Sequence, residues 1–178
     1  MRRLFVALRP PPMLRQCLLG TMAGVSGARW QSDAQLHLTL AFLGDVAEDQ
    51  AERLDAGLSR IDAPAVPLTL EGAGSFASRG RVHSLWIGAE PEEALERLAG
   101  KVRRAARVAG LVSDDQAFVP HITVARVNAG CGPVDGFIRQ WSDLRAGPAL
   151  VERFGLYESR LGSGGSAYHL LCEYQLRG

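Results

Sequence analysis

The sequence predicts an α+β protein of two pseudo-symmetric lobes. Each lobe is a mainly antiparallel sheet with helices on its outer side, and a groove runs between them. Three observations carry this. A short phrase, H-x-T plus an aliphatic residue, occurs as His37-Leu38-Thr39-Leu40 and again as His121-Ile122-Thr123-Val124. Around each copy the order of elements is the same: strand, helix, phrase strand, helix, strand. The strands alternate apolar and polar residues, as sheets with one face in a core do. The chain therefore reads as a single bilobal domain over 1–178, with approximate repeats at 3–70 and 82–157 and a closing strand at 167–176.

The elements follow in order. Leu4 to Leu8 reads as a strand, closed by Pro10-Pro11-Pro12. Proline is tolerated in a first helical turn, so a helix starts near Pro12, buries Leu14, Leu18 and Met22, and stops at Gly24. Ser26 to Gln35 is loop-like, with Trp30 its one large apolar residue. The first phrase strand spans Leu36 to Leu43 and ends at Gly44-Asp45. Ala51, Leu54, Leu58 and Ile61 fall at helical spacing above a charged face. Val66 to Leu70 is a strand, Gly72 to Arg81 a loop, and Val82 to Gly88 a strand. Pro91 opens a helix with Glu92 and Glu93 early and Arg103, Arg104 and Arg107 late, which suits the helix dipole. Its stripe is Leu95, Leu98, Val102 and Ala109, and Gly110 ends it. A loop through Ser113-Asp114-Asp115 leads to the second phrase strand, Phe118 to Val127. Val134, Phe137, Ile138 and Trp141 mark a short helix. Leu150 to Tyr157 and Ala167 to Leu176 form a closing pair of strands, joined through Gly162-Ser163-Gly164-Gly165. In the last strand Tyr168, Leu170, Cys172, Tyr174 and Leu176 share the core face.

Composition narrows the function. Lys and Arg number 20 against 19 Asp and Glu, a net charge of +1, with no basic or acidic tail. A protein that coats long duplex nucleic acid needs many more phosphate contacts. A pocket for one nucleotide or one strand end does not. Cys17, Cys131 and Cys172 are scattered, so neither a disulfide framework nor a structural zinc site is expected, and a reducing cytoplasm is the expected setting. The N-terminal apolar stretch is too short for a signal sequence, and no run is long enough to span a membrane. A monomer is the default state.

In a strand, side chains two apart share a face. Each phrase thus sets an imidazole beside a hydroxyl, with aliphatic anchors behind. Two such faces brought together suit a phosphodiester. Histidine titrates nearest neutrality, so His37 and His121 can supply one base for water and one acid for the departing oxygen. Hydroxyls of Thr39 and Thr123 can donate to the non-bridging oxygens. The scheme requires no metal and no cofactor. The repeat makes the two histidines nearly equivalent, so spacing alone does not divide the roles.

These residues resemble the twin signatures of the two-histidine phosphoesterase superfamily: His37 to Leu40 with Ala41-Phe42-Leu43-Gly44, and Pro120-His121-Ile122-Thr123-Val124-Ala125-Arg126. Arg3 to Leu8, Trp30 and Tyr157-Glu158-Ser159-Arg160 resemble its RNA 2′,3′-cyclic phosphodiesterase branch, historically called 2′-5′ RNA ligases. The resemblance covers nearly the whole chain. It implies a bilobal α+β fold, hydrolysis of RNA 2′,3′-cyclic phosphate ends or cyclic nucleotides to 2′-phosphomonoesters, and weak reversible ligation of tRNA halves. By position it makes His37 the proton donor, His121 the proton acceptor, Thr39 and Thr123 the phosphate-binding threonines and Arg126 a substrate-binding residue. Ser78 to His83 departs from the proline-containing family pattern, so no substrate contact is carried over there.

Other residues weigh less. His83 and His169 lack a threonine at the phrase spacing and read as surface or packing histidines. Lys101, Arg103, Arg104 and Arg107 read as a solvated helix face rather than an RNA-facing patch. Trp30, Phe42 and Trp86 read as core rather than base-stacking platforms. Gly162 to Gly165 lacks the lysine and helix of a P-loop. Two other function classes compete: a non-catalytic module binding RNA ends or nucleotides, and a zinc hydrolase built on His37, His83 and His121.

Overall fold

The computed structural model describes residues 1–113 and 117–177. In chain order the strands are β1 (Arg2–Leu8), β2 (Arg29–Trp30), β3 (Leu38–Val46), β4 (Val66–Ser78), β5 (Arg81–Ala89), β6 (His121–Arg126), β7 (Arg145–Val151), β8 (Arg153–Gly162) and β9 (Gly165–Gln175). The helices are α1 (Pro12–Gly20), α2 (Glu48–Leu58), α3 (Glu93–Val108) and α4 (Asp135–Gln140). The strands form one sheet in the order β7-β4-β5-β6-β3-β1-β8-β9, with β2 also pairing β6. Every strand pair is antiparallel.

Two lobes meet where β3 touches β6. Lobe one is β3-β1-β8-β9, and lobe two is β7-β4-β5-β6. The lobes are not simply the two halves of the chain. β4, from the first half, pairs with β5 and β7, while β8, from the second half, pairs with β1. Leu8, Leu38, Leu40, Ile87, Ile122 and Val124 are at most 1% exposed and form the centre of the core. Helices cover that face. α3 sets Leu95, Leu98, Val102 and Ala106 inward, and α2 sets Leu54 and Leu58. Small residues let α2 and α3 approach: a Cβ on Gly57 would stand 3.3 Å from that of Ala105. No helix among the described residues is long and apolar enough to cross a membrane.

Several local expectations change. α1 stops at Gly20, not Gly24, with Thr21 closing the last turn through its hydroxyl on the Leu18 carbonyl at 2.7 Å. The expected loop at 26–35 contains the short strand β2 and one turn of 3-10 helix at Asp33–Gln35. The expected loop at 72–81 is mostly strand. β4 runs on to Ser78 and turns through Arg79-Gly80 into β5. Its small residues suit a strand there because Gly74 lies opposite Trp86, whose indole covers it and would collide with any Cβ. The expected strand 150–157 is two strands, broken at Glu152, and β7 and β8 belong to different lobes. In β9 a bulge at Leu171 reverses the alternation, so Leu170 is 49% exposed while Tyr174 and Leu176 are buried. Of the expected loop through Ser113-Asp114-Asp115, residues 114 and 115 lie outside the described residues.

Candidate functional site

β3 and β6 meet at a single pair, Leu38 opposite Ile122, both fully buried. Continuing that antiparallel register by one residue either way sets Thr123 across from His37 and His121 across from Thr39. The two phrases thus interlock at the junction of the lobes. Their aliphatic residues point into the core and their polar residues into the groove.

Each imidazole is held the same way. His37 donates from Nδ1 to the Gln35 carbonyl at 2.7 Å, and His121 donates from Nδ1 to the Val119 carbonyl at 2.7 Å. A ring nitrogen that donates to a carbonyl sets the tautomer and leaves the other nitrogen as the acceptor. In both copies that free nitrogen is Nε2. Each ring also sits against two aromatic neighbours. His37 lies 4.9 Å from Phe5 and 4.9 Å, edge-on, from Tyr168, between ring centroids. His121 lies 4.7 Å, edge-on, from Phe76 and 5.9 Å from Trp86.

This packing sets the proton affinities. Burial is the main reason His37 is pulled from 6.5 to about 4; positive charge on Arg126 and His121 adds to it, and the Gln35 hydrogen bond opposes it. His121 is also lowered, first by burial and then by Arg126, against its bond to Val119. Both imidazoles are therefore neutral at pH 7 in the free protein, and a bound anion would raise both.

Two bulges complete the site. Along β3, Ala7 faces Thr39, Val6 faces Ala41 and Phe5 faces Phe42, so Leu40 is the extra residue. Along β6, Trp86 faces Thr123, Leu85 faces Ala125 and Ser84 faces Arg126, so Val124 is the extra residue. The bulge falls at the last residue of each phrase. Strict alternation would turn Phe42 and Arg126 away from the threonines. The bulges turn them back to the same face. Arg126 is exposed there, and its charge reaches both histidines.

A cavity of about 450 Å³ adjoins His121 and Thr39, with Phe42, Phe76, Phe118 and Arg103 on its walls. Phe42 is 41% exposed, with the Arg3 guanidinium 5.2 Å over its ring, so it is not a core residue. Trp30 does pack inward, against Phe137. Trp86 is half-buried beside His121. Arg103 leaves the expected solvated face and lies 5.3 Å over Phe118. His83 lines the same cavity, but among the described residues no three His, Cys, Asp or Glu side chains are grouped to hold a metal ion. Sequence reasoning missed Phe5, Phe76 and Tyr168 as neighbours of the imidazoles. They come from three different strands, and no local pattern marks them.

Comparison with known proteins also finds two matching stretches in the chain. The model of the LigT-like phosphoesterase family matches the chain twice, over residues 8–86 and 87–168. The chain belongs to that family. It is 33% identical over 169 residues to an RNA 2′,3′-cyclic phosphodiesterase of Archaeoglobus fulgidus, covering 93% of this chain and 96% of that protein. It is 33% identical over 181 residues to the enzyme of the same name from Escherichia coli K12, covering 98% and 97%. The crystal structure of Escherichia coli LigT complexed with 3′-AMP superposes with a TM-score of 0.78 at 28% identity, covering 99% of each chain. The superfamily that the twin phrases resemble is thus the family found, and its fold is the one described above.

Proposed function

We propose that this LigT-like phosphoesterase hydrolyses the 2′,3′-cyclic phosphate end of an RNA to a 2′-phosphomonoester. The observation that carries the reading is the matched pair of imidazoles. Both are locked by Nδ1 on a backbone carbonyl two residues back, which leaves two Nε2 atoms for the groove. Relatives named RNA 2′,3′-cyclic phosphodiesterase support the substrate.

In this reading His121 takes a proton from water as its oxygen bonds to phosphorus. The bond from phosphorus to O3′ breaks, and His37 delivers a proton to that oxygen. Thr39 and Thr123 donate hydroxyl hydrogen bonds to the non-bridging oxygens, and Arg126 offsets their charge. His37 must be protonated to act as donor, yet burial, Arg126 and His121 hold it near 4 in the free protein. The cyclic phosphate is an anion, and its arrival between the histidines favours the imidazolium. Binding therefore raises the share of protonated His37, while His121 has to stay neutral to act as acceptor. Two imidazoles supply both proton transfers, so no metal ion is needed. With an RNA 5′-hydroxyl in place of water, the same displacement forms a 2′-5′ bond, which gives weak reversible ligation of tRNA halves or similar ends. All of these groups come from one chain, so a monomer suffices. The cytoplasm is the compartment that fits such a substrate. The repeated order over 3–70 and 82–157 is read as an internal duplication that supplied the two equivalent histidines.

The test is incubation of an RNA bearing a 2′,3′-cyclic end with excess EDTA, followed by identification of the product. A 2′-phosphomonoester is expected. A 3′-phosphomonoester would exchange the departing oxygen and the two histidine roles. Saturable binding without product would make the protein a binding module.

A further inference from the structure

We propose that Arg29, set beside Arg126, binds the first internucleotide phosphate on the 5′ side of the cyclic end, so that the protein prefers an oligonucleotide to a cyclic mononucleotide. The proposal rests on the phosphodiesterase reading above and adds a specificity residue to it.

The register carries the placement. β2 pairs with β6 so that Arg29 lies directly opposite Arg126, and Trp30 opposite Ala125. Opposed residues on neighbouring strands share a face. Trp30 and Ala125 take the core face, where Trp30 meets Phe137 at 5.8 Å. Arg29 and Arg126 take the groove face, the face of Thr123 and Trp86. The short strand is well fixed, since Gln31 also donates its backbone N–H to the Val124 carbonyl at 2.8 Å.

Like charges directly opposite one another destabilise a sheet. Some arginines have a carboxylate at hand, as Arg9 and Arg15 share Asp33 and Arg160 has Glu158. Others, such as Arg81 and Arg104, have none among the described residues but are not set directly opposite another arginine across a strand pair. Among the described residues neither Arg29 nor Arg126 has one. An anion in the groove removes the repulsion and gives both guanidinium groups a partner.

Arg29 is also held. A Cβ on Gly165, at the β8–β9 turn, would stand 3.2 Å from its Nη1 and 3.3 Å from its Cζ. Gly165 has φ +107°, so the turn needs glycine for its own backbone as well. Gln35 donates from Nε2 to the Ser166 carbonyl at 2.8 Å, which ties that turn to the segment leading into His37. The guanidinium thus lies between the β8–β9 turn and the groove. Along β6 Arg29 pairs at Arg126, beyond the phrase His121 to Val124. It therefore stands past the lobe junction at Leu38–Ile122 rather than between the histidines, where a phosphate next to the reacting one would lie. A planar guanidinium suits a phosphodiester in a two-point contact.

The experiment compares kcat/KM for the dinucleotide ApA ending in a 2′,3′-cyclic phosphate with that for adenosine 2′,3′-cyclic phosphate, which lacks the internucleotide phosphate. Wild-type protein, Arg29→Gln and Arg29→Lys are measured over a salt series. Wild-type protein should prefer the dinucleotide. Arg29→Gln should cut that preference about tenfold, through KM, with Arg29→Lys recovering part of it. The salt slope for the dinucleotide should shrink by roughly 0.7 in Arg29→Gln. Equal wild-type rates on both substrates, or equal losses on both in Arg29→Gln, would overturn the proposal alone. Wild-type protein that cleaves neither substrate would overturn the phosphodiesterase reading and this proposal with it.

Discussion

Leu38 lies directly opposite Ile122, and this buried pair joins the two lobes. Each residue is flanked by the histidine and threonine of its own phrase, so the pair that joins the lobes also sets the distance between the imidazoles. Ile122→Ala should cost about 2–5 kcal/mol, because it opens a cavity in a fully packed core. Urea denaturation measures this. Activity under conditions where the variant is fully folded should still fall, since the two phrases lose their common anchor.

His37→Ala and His121→Ala should each lower turnover of a cyclic-phosphate RNA end by about 10² to 10⁴-fold, the usual contribution of a general acid or base. Thr39→Val and Thr123→Val keep shape and remove a donor, so their losses should be smaller and fall mainly on kcat. Turnover unchanged in both histidine variants would refute the catalytic reading.

The histidines also make stability depend on pH. His37 takes up its proton at about 4 in the folded chain and near 6.5 when unfolded. Between those values the unfolded chain binds more protons, so stability rises with pH through this window and is lost on acidification. The loss from His37 alone should reach up to about 3 kcal/mol. Urea midpoints measured from pH 7 to pH 4 should fall less steeply in His37→Gln than in wild-type protein. The kcat profile should lie at higher pH than that of kcat/KM, because bound phosphate raises both imidazoles.

Gly74 faces the Trp86 ring, which in turn packs on His121. Gly74→Ala has no room for its Cβ unless the indole moves. The variant should lose about 1–3 kcal/mol of stability and also shift the His121 titration, read by NMR. A stability loss with an unmoved His121 resonance would separate the indole from the imidazole.

The sequence by itself determined the paired phrases, the α+β class and the alternation that sets His beside Thr. These are local properties: a two-residue period and a helical stripe are legible wherever one face is buried. It also marked Arg126 through resemblance, although strict alternation from His121 would have turned that side chain away. Only the tertiary structure decided how Arg126 and Phe42 reach the groove, because a bulge depends on the partner strand and leaves no local pattern. The exchange of β4 and β8 between lobes and the strand character of 72–78 depend on pairing partners far away in sequence. The aromatic neighbours of the imidazoles, and with them the lowered proton affinities, come from strands that only folding brings together.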